Sequence, residues 1–146
     1  MVELAVDASR VASDLHVSTG RLVRRLRQGH VPGDLTLSEA SVLSRLDIRG
    51  PATPSELAAE ERVRPQAMST TLAGLEARGL VTRAGDPADG RRVLMSVTEA
   101  GRQLLVDRRG VKAARMARAL ATGFTPAEQQ QPAAATPLLE RLAVML

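Results

Sequence analysis

Cysteine is absent from this chain of 146 residues, and so are tryptophan and tyrosine. The lack of cysteine excludes disulfides, thiolate nucleophiles and cysteine-ligated zinc. Because Phe124 is the only aromatic residue, leucine, valine, alanine and methionine must fill the core. Such side chains suit helix-on-helix packing, since alanine lets two backbones approach and leucine fills the grooves. The composition therefore predicts a single domain that is mostly α-helical.

Long apolar runs and a secretory leader are also missing. No stretch approaches the roughly eighteen apolar residues of a membrane span, and the N-terminus lacks a cationic segment followed by an apolar one. The apolar fraction of 44% and the charged fraction of 25% are those of an ordinary globular protein. We therefore expect a soluble, cytoplasmic protein without a membrane partner.

Signatures of catalysis are missing as well. The sequence has no glycine-flanked serine of a nucleophile elbow and no glycine-rich loop that would hold phosphate. The two histidines, His16 and His30, lack the spacing of a metal-binding pair on one helix. We therefore expect no enzymatic activity, no cofactor and no bound metal, because no set of residues supports a small helical enzyme.

Positive charge is in excess and is carried almost entirely by arginine. The net charge is +4, and Lys112 is the one lysine among 20 cationic residues. Arginine suits bidentate recognition of phosphate and guanine, which favours a nucleic-acid partner. A GC-rich genome that encodes arginine in place of lysine would give the same composition. The charge alone therefore leaves both interpretations open.

Apolar spacing and capping residues predict three helices in the first half of the chain. The first and longest follows a series of apolar or small residues at Leu4, Ala8, Val11, Leu15, Leu22 and Leu26. Two capping boxes, Thr36 with Glu39 and Thr53 with Glu56, open the next two helices. The apolar face of the second helix is predicted to run through Leu37, Ala40, Leu43 and Leu46.

A fourth helix and a hairpin are predicted next. Pro65 opens the helix, its buried stripe is Met68, Leu72 and Leu75, and Gly79 follows its end. Two strands are predicted at 80–83 and 92–97, joined by a basic turn that contains Asp-Pro and Asp-Gly.

Two further helices complete the predicted secondary structure. Thr98 opens a fifth helix that extends to about Ala121. The last helix begins at Thr125-Pro126, and Pro132 and Pro137 predict a kink or a break within it, because proline lacks the backbone N–H donor and clashes with the preceding turn.

Three short helices followed by a hairpin form the winged helix-turn-helix arrangement, in which the second helix of the turn enters the major groove. At this point the chain resembles the MarR family of bacterial regulators. Four segments carry the resemblance, in the family's order and spacing: 53–58 (TPSELA), 75–83 (LEARGLVTR), 86–92 (DPADGRR) and 97–101 (VTEAG).

The resemblance implies that residues 1–146 form one MarR-like domain, mostly α-helical with a β-hairpin wing. Residues 36–98 would be the winged helix-turn-helix lobe, and 1–35 and 99–146 the dimerisation helices. It further implies a homodimer on a pseudo-palindromic operator in double-stranded DNA, usually a repressor, that a small phenolic or otherwise lipophilic ligand releases. His16 is a candidate for lining the effector cavity.

Candidate DNA-binding residues follow from this arrangement. On the fourth helix Gln66 can bind adenine through two hydrogen bonds, while Ser69 and Thr70 can reach bases or phosphates. In the wing, Asp89 is expected to pair with Arg91 and to direct it into the minor groove. The complete predicted set is Arg62, Arg64, Pro65, Gln66, Ser69, Thr70, Asp89, Arg91 and Arg92.

Arg62, Arg64 and Arg92 are the predicted phosphate contacts within that set. Many relatives have a cation where this chain has Thr70, and a polar or basic residue where it has Gly74. That departure keeps an alternative open, in which the winged fold is a protein-interaction module, an anti-activator or scaffold, that no longer reads DNA.

Overall fold

The computed structural model describes residues 6–28 and 33–146. Two compact units make up the chain, Met1–Asp34 and Leu35–Leu146. The elements are α1 (Ala8–Arg27), α2 (Leu37–Arg49), α3 (Pro54–Glu61), α4 (Pro65–Ala77), β1 (Val81–Gly85), β2 (Val93–Val97), α5 (Glu99–Gly123) and α6 (Pro126–Met145). The predicted class, mostly α with a β-hairpin, is confirmed.

Helix α1 belongs to the first unit and begins one residue after its cap, Asp7. The Asp7 carboxylate accepts the backbone N–H groups of Ser9 at 3.0 Å and of Arg10 at 3.3 Å. Three arginines in the last turn complement the negative end of the helix dipole. Leu4, which the predicted apolar series included, lies outside the described residues.

The capping boxes at α2 and α3 form as predicted, but the buried face of α2 differs from the predicted one. Each cap threonine accepts the N–H of its glutamate, and each glutamate accepts the N–H of its threonine. Leu37 is 57% exposed, whereas Val42 is 1% exposed and packs in the core beside Leu43 and Leu46. The first turn of α2 therefore presents an apolar side chain outward.

The hairpin pairs β1 with β2 in antiparallel register, from Val81 opposite Val97 to Gly85 opposite Val93. Both strands start one residue later than predicted, and β1 extends to Gly85. The segment before α3 adds a bridge that the sequence did not indicate, because Ala52 and Met95 exchange backbone hydrogen bonds of 3.1 and 2.8 Å. The wing is thereby attached to the start of α3.

The core of the second unit lies where α2, α3, α4 and the hairpin meet the first turns of α5. The predicted stripe of α4, Met68, Leu72 and Leu75, is buried there together with Leu105 of α5. Thr98 holds the start of α5 in place, since its N–H donates to the Leu80 carbonyl at 3.0 Å and its hydroxyl donates to the Gly79 carbonyl at 2.7 Å.

Helix α6 is continuous, so the predicted break at its prolines is wrong, whereas the alternative, a kink, stays a prediction. Pro132 and Pro137 both lie inside the helical span. Each proline leaves one carbonyl of the preceding turn without its N–H partner. Because α6 has no buried residue, water can reach those carbonyls. A capping box of Thr125 and Glu128 secures the first turn.

Candidate nucleic-acid interface

The turn between α3 and α4 consists of Arg62, Val63 and Arg64. Arg62 has φ 54° and ψ 42°, a left-handed conformation. Its N–H donates to the Ala59 carbonyl at 3.2 Å, and the Val63 N–H donates to the Ala58 carbonyl at 3.0 Å. These bonds fix the angle between the two helices. Arg62 and Arg64 are both exposed.

Helix α4 begins with Pro65, and no side chain caps its first turn. Gln66, Ser69 and Thr70 are exposed on the face opposite the buried stripe, as predicted. The Thr70 hydroxyl donates to the Gln66 carbonyl at 3.1 Å, so its proton is engaged and the oxygen can only accept a further hydrogen bond. The uncapped backbone N–H groups of a first turn suit an anion such as phosphate.

The tip of the wing, 86–92, is held by backbone and carboxylate hydrogen bonds. The Asp86 N–H donates to the Arg92 carbonyl at 2.9 Å, and the Arg92 N–H donates to the Asp89 carbonyl at 3.0 Å. The two aspartate carboxylates accept the N–H groups of Ala88 at 2.9 Å and of Arg91 at 3.1 Å. The tip is therefore held in a defined conformation.

The prediction that Asp89 forms an ion pair with Arg91 is wrong. The Asp89 carboxylate binds the backbone N–H of Arg91, two residues away, rather than its guanidinium. A short polar side chain in a turn readily makes this local contact. The Arg91 side chain is exposed, and no carboxylate of the described residues forms an ion pair with it.

Ion pairs divide the arginines of the lobe, 36–98, into two groups. Five of them pair with carboxylates of the lobe: Arg45, Arg49, Arg78, Arg83 and Arg92. Within the described part of the chain the other three, Arg62, Arg64 and Arg91, have no ion-pair partner. These three are predicted DNA contacts, whereas Arg92, the fourth predicted arginine, is bound to Glu56 at 2.8 Å.

Glu56 of α3 contacts two other parts of the lobe, the wing and helix α2. Its Oε1 accepts from Arg92, while its Oε2 accepts the Thr53 N–H at 2.9 Å and lies 3.7 Å from Arg49 of α2. The hydrogen bond from the Thr53 backbone, together with the positive charge of Arg92 and Arg49, lowers the pKa of the Glu56 carboxyl. The sequence indicated only its part in the capping box.

A second carboxylate, Glu61, joins the end of α3 to α2. It accepts from the Ser41 hydroxyl at 2.7 Å and from the Arg45 guanidinium at 2.7 Å. Partial burial raises the pKa of Glu61, but the hydrogen bonds from Ser41 and Arg45 outweigh that effect and lower the pKa overall. The preceding residue, Glu60, forms an ion pair with Arg49 of α2.

An open groove of about 540 Å³ runs along the outer face of α2. Apolar side chains lie at its two ends, since Leu37 is 57% and Ile48 is 81% exposed. Ser41, Ser44 and Arg45 lie between them, and Arg49 follows Ile48. The complete lining is Leu37, Ala40, Ser41, Ser44, Arg45, Ile48 and Arg49.

The effector candidate, His16, lies on α1, in the other unit of the chain, and is exposed. His30 lies outside the described residues. Throughout 6–28 and 33–146, no group of three carboxylate or imidazole side chains comes close enough to hold a metal ion. Nor does any helix in these ranges combine the length and the apolar character that crossing a membrane would require.

Comparison with known proteins relates this lobe to a family. The family model of the MarR family matches residues 33–92. An HTH-type transcriptional regulator of Mycobacterium tuberculosis is 46% identical over 110 residues, which cover 75% of this chain and 73% of the relative. An HTH-type transcriptional repressor of the same species is 35% identical over 99 residues, or 68% and 71% of the two chains.

Solved structures extend the similarity beyond the lobe. A protein from Pseudomonas aeruginosa PA01 has a TM-score of 0.75 and 34% identity, over 92% of this chain and 94% of that one. BpsR of Bordetella bronchiseptica, whose DNA binding is regulated by 6-hydroxynicotinic acid, has a TM-score of 0.57 and 25% identity, over 92% and 98%. The chain belongs to the MarR family and is a transcriptional regulator with a DNA-binding helix-turn-helix rather than an enzyme.

Proposed function

We propose that this regulator reads a pseudo-palindromic DNA operator with the α3–α4 turn, helix α4 and the wing. The observation that carries the proposal is the distribution of arginines without an ion pair. Arg62 and Arg64 lie immediately before the start of α4, and Arg91 lies at the tip of the wing. An arginine that already pairs with a carboxylate gains less from a phosphate, because the first ion pair must be given up.

Helix α4 supplies the contacts to bases. Gln66 presents a carbonyl and an amide to adenine, and Ser69 follows one turn later. Thr70 accepts a hydrogen bond or contacts a thymine methyl group, because its proton is engaged in the helix. The uncapped first turn, which starts at Pro65, and the guanidinium groups of Arg62 and Arg64 bind backbone phosphates.

The wing supplies the contact to the minor groove. The Arg91 guanidinium enters the groove, whose negative potential attracts a cation. Asp89 serves this contact by holding the Arg91 backbone N–H. A phosphate contact by Arg92 would have to displace Glu56, so Arg92 is not included among the phosphate contacts.

We further propose a homodimeric repressor, built through 1–35 and 99–146. Support comes from apolar side chains that a single chain leaves exposed on α5, on α6 and in the link between them: Val106, Val111, Met116, Phe124, Leu138, Leu139 and Leu142. A second copy would cover such a surface and place two lobes on one duplex. The M. tuberculosis relative named a transcriptional repressor supports the direction of regulation.

Relief of repression by a small amphipathic anion is part of the proposal. The α2 groove offers apolar side chains, Leu37 and Ile48, for a ring or chain. Arg45 is the candidate for an acidic group, which would have to compete with Glu60 and Glu61 for it. BpsR shows that 6-hydroxynicotinic acid regulates DNA binding in a protein of similar fold. Addition of that acid is expected to release DNA from the wild type and less so from Arg45→Gln; equal release from both proteins would place the ligand elsewhere.

The experiment that tests DNA binding measures the affinity for a labelled fragment of the protein's own upstream region across a salt series. The Arg91→Ala variant is expected to bind about tenfold more weakly, with a salt slope smaller by about two, one for each wing of the dimer. Arg83→Ala is the matched control, because Arg83 is also exposed in the hairpin but pairs with Glu76. Equal affinity of all three proteins would contradict the proposed wing contact.

A second candidate function is supported by the absence of any cation from α4, 65–77. A protein-interaction module would need no base contacts on that helix. In that case neither the wild type nor Arg91→Ala would bind the upstream fragment or any duplex selected from a random pool.

A further inference from the structure

The carboxylate of Glu56 connects the wing to the helix-turn-helix. We propose that Glu56 is a positioning residue for DNA recognition: through Arg92 it fixes the wing relative to α3 and α4, so that Arg91 and helix α4 meet the same duplex. The inference rests on the proposed DNA-binding function, and it assigns Arg92 to the support of the wing rather than to a phosphate.

The two carboxylate oxygens of Glu56 make different contacts. Oε2 completes the capping box with the Thr53 N–H at 2.9 Å, which is all that the helix requires. Oε1 is left for Arg92 at 2.8 Å. The corresponding glutamate of the α6 capping box, Glu128, has the same two bonds to Thr125 and no arginine in ion-pair contact among the described residues. Capping therefore does not account for the contact to the wing.

Arg92 is well placed to transmit this contact to the tip of the wing. Its carbonyl and its N–H close the loop through Asp86 and Asp89. Its guanidinium also lies 3.9 Å from the Asp86 carboxylate, so Arg92 is bound on the side of the wing and on the side of α3. Arg91 is the adjacent residue, and its backbone position follows that of Arg92.

Helix α3, which carries Glu56, is joined to α4 by the short turn at Arg62. Helices α3 and α4 pack against each other, with Leu57, Ala58 and Leu75 fully buried or nearly so. A wing fixed to the start of α3 is therefore fixed to α4. Such preorganisation favours binding, because the relative position of two contacts need not be ordered when the duplex arrives.

Arg49 links this contact to the α2 groove. It lies 3.7 Å from Glu56 and also lines the groove. Arg49 therefore belongs both to the surroundings of the Glu56–Arg92 ion pair and to the groove. An anion in the groove would change the positive charge that faces Glu56.

The test uses Glu56→Gln, which keeps the capping box because glutamine also serves at that position, but removes the charge. Glu128→Gln is the matched control. Amide hydrogen exchange without DNA is the first measurement. Glu56→Gln is expected to speed exchange at the Asp86 and Arg92 amides by about twofold to fivefold, the range for loss of a half-exposed ion pair, while Glu128→Gln leaves them unchanged.

DNA binding is the second measurement. Glu56→Gln and Arg92→Gln are each expected to weaken binding by about twofold to fivefold with an unchanged salt slope, because no phosphate contact is lost. The double variant should bind no more weakly than either single one. Arg92→Lys, which keeps the charge, should restore most of the affinity.

If amide hydrogen exchange at Asp86 and Arg92 were the same in Glu56→Gln as in the wild type, the proposal would be overturned. Tighter DNA binding by Glu56→Gln with a steeper salt slope would also overturn it, since Arg92 would then be a phosphate contact that Glu56 holds back. If wing exchange responds as expected but the wild type binds no duplex, Glu56 does position the wing and it is the proposed DNA binding that fails.

Discussion

Substitution of Gly101 by alanine tests how tightly α5 closes the lobe. A Cβ atom at this position would lie 2.4 Å from the Leu80 carbonyl oxygen and 2.8 Å from a methyl group of Val97. The Leu80 carbonyl cannot retreat freely, because it accepts the Thr98 N–H at 3.0 Å. The clash must therefore move either the start of α5 or the bond that anchors it.

Two opposing effects set the magnitude. Alanine in place of glycine favours the helix by about 1 kcal/mol. Overpacking costs about 1 to 3 kcal/mol, and loss of the Thr98 hydrogen bond costs about 1 kcal/mol more. Gly101→Ala is therefore expected to lower the free energy of unfolding by about 1 to 3 kcal/mol. Gly110→Ala is the control in the same helix, since nothing lies within 4 Å of its added Cβ, and it should stabilise by about 0.5 to 1 kcal/mol.

Urea unfolding followed by far-UV circular dichroism gives both values, because the chain has no tryptophan or tyrosine for fluorescence. The two alanine variants should shift the urea midpoint in opposite directions. If Gly101→Ala proved as stable as Gly110→Ala, the close approach of α5 to Leu80 would not contribute to the stability of the lobe.

The remaining two predictions concern backbone strain and pH. Arg62 is left-handed without being glycine, so Arg62→Gly should be about 1 kcal/mol more stable to urea than Arg62→Ala, although both lose the same DNA contact; equal stability would contradict strain at the turn. The lowered pKa of Glu61 means that the unfolded chain takes up its proton first as the pH falls. The stability that Glu61 contributes is thus present above the ordinary pKa of 4.5 and lost as the pH falls below it. Between about pH 6 and about pH 4 the urea midpoint of Glu61→Gln should therefore fall less than that of the wild type.

Features set by neighbours in the sequence were the predictable ones. The capping boxes of α2 and α3 each join residues three positions apart, and the stripe of α4 follows from helical spacing alone. The hairpin followed from its turn signals, and the family resemblance added the expected roles of its tip residues. The burial of Val42 in place of Leu37 was not predictable in this way, since either residue fits an apolar face and the choice depends on what packs against α2.

Which arginines are left without an ion pair could not be predicted, because ion pairs join residues far apart in the chain. Arg92 and Glu56 are 36 positions apart, and no local pattern connects them. Asp89 and Arg91 are close in sequence, yet the carboxylate binds the backbone N–H, which residue types alone do not distinguish from the guanidinium. The continuity of α6 was not predictable either, because proline disfavours the interior of a helix, yet Pro132 and Pro137 both lie inside this one.

Selection of duplexes from a random pool by the purified protein tests whether this lobe reads DNA. Enrichment of one motif with two inverted half-sites is expected, and loss of that enrichment with Arg91→Ala but not with Arg83→Ala. Recovery of no motif, from a protein shown to be folded by circular dichroism, would contradict DNA reading by this lobe and leave the interaction module as its function.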